Sequence, residues 1–297
     1  MLLWALLLLC HVAFVTPHAS EVLATMTTAT SGLPPCATLP AKVSLPAPRS
    51  DFFMADNMTY LNVGSLGPSP RAAVDCAAAQ WRWLEANKVS RYAWSGGVPE
   101  MVRNMSASVL GRNISLDELA HFPSTTVALN AVADGLVSSG FLAAPRWAAG
   151  QPPRVLTTDQ EHGGGVAAWQ HYVRVGQLAG VDTVALGAPP ASEEAVLDAF
   201  RAALRARPNG TYAVLFFSHV LTTTGIALPV AKLAALAHSY GALCIVDGAQ
   251  SVGNVRVLLD ETGADAYTVS AHKWLLAPTG RCAILPGSPS ELPLISL

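Results

Sequence analysis

The sequence predicts an α/β protein with a mostly parallel sheet covered by helices on both faces. Two observations carry that prediction. From about residue 120 onward, short apolar runs alternate with helix-like stretches. The runs are also continuous rather than alternating, as in strands buried on both faces. Composition agrees: 51% of the 297 residues are hydrophobic and only 13% charged, which provides a sizeable core and excludes a disordered or coiled-coil chain.

The elements follow in order. Residues 70–87 are helix-like, and Ser124 to Asn130 opens a second helix reaching about residue 137. Residues 154–158 are strand-like, 165–175 helical and 181–186 strand-like again. Residues 192–205 form a helix opened by Ser192, with Glu193 and Glu194 favourably placed in its first turn. Residues 212–217 are a buried-strand run, and 230–240 are helical and stop at Gly241, a common C-terminal punctuation. Residues 242–246 and 266–269 are further short strands.

Net charge is −2, and the 18 Lys and Arg are scattered, so the basic face that a nucleic acid or an anionic membrane needs is missing. The five cysteines, Cys10, Cys36, Cys76, Cys244 and Cys282, have no C-x-x-C spacing and are too sparse for a zinc knuckle or a disulfide scaffold, so no metal site is expected. Cys244 reads as a small buried hydrophobe within an apolar run.

Residues 1–20 read as a cleaved secretory leader: an apolar run up to Val15, too short to span a bilayer comfortably, then small residues. The run lacks a basic start, which keeps a plastid-type or uncleaved leader open. Residues 21–50, rich in Ala, Thr, Ser and Pro, read as a flexible spacer, leaving 51–297 as the folded domain, with no stable membrane span once the leader is removed. Four of the eight Asn begin N-x-Ser/Thr sequons: Asn57, Asn104, Asn113 and Asn209. Leader and sequons together point to the secretory pathway or the exterior; an organelle or the cytoplasm is the alternative.

In open α/β sheets, ligands bind beyond the carboxyl ends of the strands. Four polar sets occupy such positions: residues 157–162, 218–219, 247–250 and 270–273, all expected along one sheet edge. Among them, Asp247 and Lys273 fit pyridoxal phosphate, which needs a lysine amine for its Schiff base and an acid opposite its pyridine nitrogen. Spacing alone fits a solvated Asp and a surface Lys equally well.

The surrounding words are more specific. Ser270-Ala271-His272-Lys273-Trp274, continuing to Pro278-Thr279-Gly280, resembles the lysine motif of class V aminotransferases, and Asp247-Gly248-Ala249-Gln250-Ser251 resembles their aspartate motif. Thr157 to Gly163, and Ser218-His219-Val220 with Thr224-Gly225 and Leu228-Pro229, look most like the isopenicillin N epimerase-like branch, beside cysteine desulfurase relatives. Tyr60 to Gly67 resembles the L-N-x-G-S-x-G opening.

The resemblance implies the large domain of a fold type I pyridoxal phosphate enzyme, acting at the α-carbon of an amino acid and working as a homodimer. It makes Lys273 the Schiff-base lysine and proton shuttle, Asp247 the pyridinium partner and Gln250 a neighbour of the ring oxygen. His162 falls where the family stacks a ring on the cofactor, and His219 near the ring oxygen and substrate. Thr125, Thr126, Ser270 and His272 match the phosphate site, where helix N-terminal N–H groups favour an anion. Asn62 and Ser65 match the substrate-side opening.

Each residue also has a plainer reading. Thr125 can serve as a helix N-cap, His162 as a cap at a strand end, and Glu161 as a support for the loop presenting His162. Trp81 and Trp83 read as core or dimer packing. The family continues past the lysine loop into a small C-terminal domain that is missing from this sequence, together with the arginine that grips the substrate carboxylate; Arg91 and Arg281 are the available substitutes. A second function class is therefore kept: a non-catalytic or fragmentary relative retaining the cofactor scaffold as a secreted binding or structural module. An α/β hydrolase is set aside, because no G-x-S-x-G elbow occurs.

Overall fold

The computed structural model describes residues 48–86, 110, 118–143, 147, 151–278 and 282–286. The leader, nearly all of the spacer, Asn104, Asn113, Arg91 and Arg281 lie outside them. The chain divides into two compact units, Met1–Leu119 with Ala271–Arg281, and Ala120–Ser270 with Cys282–Leu297.

In the first unit, helix α1 (Arg71–Ala86) is the main regular element among the described residues. Ala73 and Cys76 are buried on it, and Cys76 is disulfide-bonded. Trp81 is 57% exposed, so it is not core as the sequence allowed, while Trp83 is half-buried. The Arg71 guanidinium lies 4.2 Å from the centre of the Phe53 ring, which ties the segment ahead of the helix to its first turn.

The second unit holds a seven-stranded sheet in the order β1-β7-β6-β5-β4-β2-β3. Its strands are β1 (Ala120–Phe122), β2 (Arg154–Thr158), β3 (Gly180–Val184), β4 (Tyr212–Ser218), β5 (Leu243–Gly248), β6 (Ala266–Ser270) and β7 (Cys282–Pro286). Five strands, β2 to β6, run parallel; β7 is antiparallel to both β6 and β1. The short β1 is not separable from loop in the sequence, since a three-residue strand has no periodicity to read.

Between the strands run α2 (Thr125–Ser138), α3 (Gly163–Arg174), α4 (Glu193–Arg205) and α5 (Val230–Ser239). Two adjacent phenylalanines on β4 show both faces covered. Phe216 packs on Trp169 of α3 with centroids 5.9 Å apart, and Phe217, pointing oppositely, packs edge-on against Phe200 of α4 at 6.1 Å. All four rings are fully buried. Ser192 caps α4 as its sequence position predicts, its hydroxyl accepting from the Ala195 N–H at 3.1 Å.

Helix α3 begins two residues ahead of the sequence reading because the His162 side chain caps it. Strand β5 extends to Gly248 because it stays paired with β6 through Gly248 and Val269.

Candidate active site

The polar sets flagged in the sequence follow β2, β4, β5 and β6, which are parallel neighbours, so their carboxyl ends share one edge. Ser218 is in register with Asp247, and Asp247 with Thr268. The step from β2 to β3 runs outward, whereas those from β3 to β4 and from β4 to β5 run back across the sheet. The crevice where direction reverses, between β2 and β4, is where ligands enter such sheets.

Glu161 spans that crevice. Its Oε1 accepts from the Thr158 hydroxyl of β2 at 2.6 Å, and its Oε2 from the Ser218 hydroxyl of β4 at 2.5 Å. Burial of the carboxyl group pushes its pKa up to about 7, against the pull of the Ser218 and Thr158 hydroxyls and with a further push from the Asp247 charge. Sequence reading treated Glu161 as a loop support; the structure makes it a clasp between two strand ends.

Asp247 is 6% exposed, and its Oδ1 accepts from the Ala249 N–H at 2.9 Å. Helix α3 comes so close that a Cβ on Gly165 would stand 3.1 Å from Oδ2 and 2.8 Å from Phe216. A side chain there would meet the Phe216 ring first and crowd the aspartate next, so the approach favours glycine. His219 anchors to the same strand, its N–H donating to the Asp247 carbonyl at 2.9 Å. Burial lowers the His219 pKa to about 4, and its Nδ1 lies 2.6 Å from the Tyr267 hydroxyl. Gln250 is buried, and its carbonyl accepts from the Asn254 side chain at 3.1 Å.

Two helix N-termini meet beside these strand ends. On α2 the cap is Ser124, not Thr125: its hydroxyl accepts from the Val127 N–H at 3.2 Å. Thr125 is thereby left to pair through its hydroxyl with Ser270 at the end of β6. Thr126 stands so close to α3 that a Cβ on Gly164 would lie 2.8 Å from its Oγ1. On α3, His162 Nδ1 accepts from the Gly164 N–H at 3.1 Å, which puts any neutral-ring proton on Nε2. The ring itself is exposed. Capping and presentation of a free ring face are therefore compatible roles for His162.

In the first unit, two motifs widely separated in sequence are joined. The Gly67 N–H donates to the His272 carbonyl at 2.8 Å, and a Cβ on Gly67 would run into the Lys273 carbonyl oxygen. The last glycine of the L-N-x-G-S-x-G segment is therefore a close-approach glycine for the lysine turn. That turn is closed by Leu276 N–H to Lys273 carbonyl at 3.0 Å and Ala277 N–H to Ala271 carbonyl at 2.9 Å. It holds Leu276 at φ +55°, a left-handed conformation costly for leucine. The Asn62 carbonyl gathers the Ser65 N–H at 3.1 Å and the Tyr60 hydroxyl at 3.0 Å, leaving the Asn62 and Ser65 side chains exposed.

Residues 101–288 match the family described as Aminotransferase class-V. The chain belongs to the class-V aminotransferases. The chain is 34% identical over 230 residues to isopenicillin N epimerase of Amycolatopsis lactamdurans, covering 75% of this chain and 52% of that protein. It is 28% identical over 257 residues to a probable cysteine desulfurase of Halobacterium salinarum, covering 82% and 57%. The chain thus spans about half the length of the curated relatives it matches.

Among solved structures, a C-DES mutant with glycine covalently linked to the PLP cofactor superposes with TM-score 0.67 at 22% identity, covering 81% of this chain and 60% of that one. Cysteine desulfurase of Thermococcus onnurineus superposes with TM-score 0.66 at 22% identity, covering 82% and 58%. These likenesses establish the fold: the α/β class-V architecture expected from the sequence.

Proposed function

We propose that this class-V aminotransferase is a pyridoxal phosphate-dependent enzyme acting at the α-carbon of an amino acid. The observation that carries the reading is the gathering of Asp247, the Thr125–Ser270 pair and the α2 N-terminus at one sheet edge, in a family one of whose structures holds that cofactor.

The residues suit the group. A phosphate needs N–H and hydroxyl donors, and the first turn of α2 has N–H groups without intrahelical partners beside the Thr125, Thr126 and Ser270 hydroxyls. A protonated pyridine nitrogen needs a buried carboxylate, and Asp247 has one oxygen fixed by a backbone N–H and the other against a helix that carries no side chain there. Bound, the cofactor supplies an electron sink for the pair released when a bond to the substrate α-carbon breaks. Lys273 would contribute the amine that anchors it and, through Nζ, would hold or move a proton at that carbon. His162 would cover a face of the ring, Gln250 would attend its oxygen, His219 would stand near the substrate, and His272 would help to close the phosphate end. The relatives' names span epimerase and desulfurase chemistry, so the proposal stops at the α-carbon and leaves the outcome open.

The decisive experiment is absorbance of the purified full chain with added pyridoxal phosphate, before and after borohydride reduction, followed by peptide mass mapping. A visible band converted to a cofactor adduct on Lys273 is the expected result. No adduct, or one on other lysines only, overturns the proposal. Asp247→Asn should still take up the adduct but lose most turnover; unchanged turnover removes Asp247 from the pyridine nitrogen. An adduct without turnover for any amino acid would favour a retained scaffold used for binding.

A homodimer is the assembly proposed, supported by Trp81 (57% exposed) and Leu61 (89% exposed) on the first unit. Light scattering showing only a monomer would reject it. We also place the protein in the secretory pathway. Both sequon asparagines within the described residues sit in exposed hydrogen-bonded turns, one closed by Met58 N–H to the Ala55 carbonyl and the other by Thr211 N–H to the Pro208 carbonyl. Cys76 is disulfide-bonded, as suits an oxidising compartment.

A further inference from the structure

Behind His219 lies a chain of three hydrogen-bonding contacts that ends on a backbone carbonyl. Ser251, fully buried, donates its hydroxyl to the Gly248 carbonyl at 2.8 Å. The same oxygen lies 2.6 Å from the Tyr267 hydroxyl, which lies 2.6 Å from His219 Nδ1. Tyr267 is 1% exposed, and its ring meets the His219 ring edge-on at 89°.

Proton accounting gives this chain one direction. A carbonyl only accepts, so the single Ser251 proton goes to Gly248. Tyr267 must then donate to Ser251, and the Tyr267 oxygen accepts from His219. All three contacts are satisfied only when His219 carries its proton on Nδ1; reversing the chain leaves the serine oxygen facing the carbonyl with no proton between them.

Resting on the reading of this edge as the substrate site, we propose that Tyr267 and Ser251 are positioning residues that hold His219 as the Nδ1–H tautomer, presenting Nε2 to the site as an acceptor only. A ligand group paired with this ring must be a donor, such as the ammonium or another N–H of an amino-acid substrate. Burial supports the arrangement, because it keeps the ring uncharged over the pH range in which the tautomer matters. His162 shows the opposite pattern: its Nδ1 accepts from a backbone N–H, so its free nitrogen is a donor. The edge therefore carries two imidazoles whose outward nitrogens have opposite polarity.

The test is nitrogen-15 NMR of the histidine rings in the full chain without cofactor, with His219 assigned among the eight histidines by the ring lost in His219→Gln. Expected is a protonated Nδ1 and a bare Nε2 in the native protein. Ser251→Ala should flip the tautomer, because the Tyr267 proton then turns to Nδ1. Tyr267→Phe should give a mixture. A native spectrum with the proton on Nε2, or a Ser251→Ala variant with the native pattern, overturns the proposal. Should a variant fail to fold, the native spectrum still decides. Failure here leaves the Lys273 adduct untouched, and failure of the adduct leaves the tautomer untouched, so the two readings fall separately.

Discussion

Glu161 and His219 follow neighbouring strands, and their protonation pulls stability in opposite directions. Glu161 titrates near 7 in the folded chain against an ordinary 4.5, so the folded state keeps a proton that the unfolded state releases. Stability from this group is greatest below about pH 4.5 and declines up to about pH 7, by about 3 kcal/mol at about 1.4 kcal/mol per pKa unit. His219 titrates near 4 against an ordinary 6.5, so the unfolded state binds the proton that the folded state refuses. Its contribution rises between about pH 4 and about pH 6.5 by a similar amount, about 3 kcal/mol.

In the native protein the two slopes nearly cancel over the shared window. Glu161→Gln should uncover a melting temperature that rises with pH there, and His219→Gln one that falls. Thermal denaturation across that range checks both, and two variants that parallel the native profile would refute the assignment. Glu161 is visible in the sequence, but its burial is not: it depends on two hydroxyls, one of them Ser218, 57 positions away.

At the scale of elements, Asp182 ties three strands together at the end of the sheet remote from the candidate site. It takes Arg154 of β2 at 2.9 Å, the Tyr212 hydroxyl of β4 at 2.8 Å and Arg207 at 2.8 Å. Burial raises its pKa, and the Arg154 and Tyr212 hydrogen bonds and the guanidinium charges more than reverse this, leaving it lowered. Its contribution is present at neutral pH and fades as pH falls through the carboxylate range. Asp182→Ala should cost roughly 2–3 kcal/mol, read by urea denaturation at neutral pH, with the difference from native shrinking in acid. A neutral effect would show that β3 is held by its backbone ladder alone. The strands themselves were legible as apolar runs; Asp182, a lone acid inside a weak strand pattern, was not legible as their clasp.

For the whole molecule, leader, sequons and disulfide make one compartment prediction. Secreted from a eukaryotic host, the full chain should lose mass on endoglycosidase treatment, with the deglycosylation mark on Asn57 and Asn209. The corner Asn209 is set up by Gly210 at φ +78°, which leaves the acceptor amide at the tip of its turn. Non-reducing peptide maps should find Cys76 in a disulfide and Cys244 as a free thiol. Absence of both the mass loss and the disulfide returns the protein to a reducing compartment.

Local chemistry by itself settled a good deal: the apolar runs, the Ser192 cap, the strand-end acid at Asp247 and the lysine motif at Lys273 can be read from their immediate neighbours. Runs buried on both faces need no partner to announce themselves, and a motif is by nature short. What only tertiary structure decided are relations between distant positions. Tyr267 sits in an apolar strand and reads as core, yet its hydroxyl meets His219 and Ser251, 48 and 16 residues away. Gly67 and Gly165 read as turn and helix-start glycines until the Lys273 carbonyl is seen to occupy the space of the one's missing side chain, and the Phe216 ring, with the Asp247 carboxylate beside it, that of the other. Cap assignment moved from Thr125 to Ser124 for the same reason: which hydroxyl is left to face β6 depends on where the helix is set against the sheet, and no local pattern encodes that.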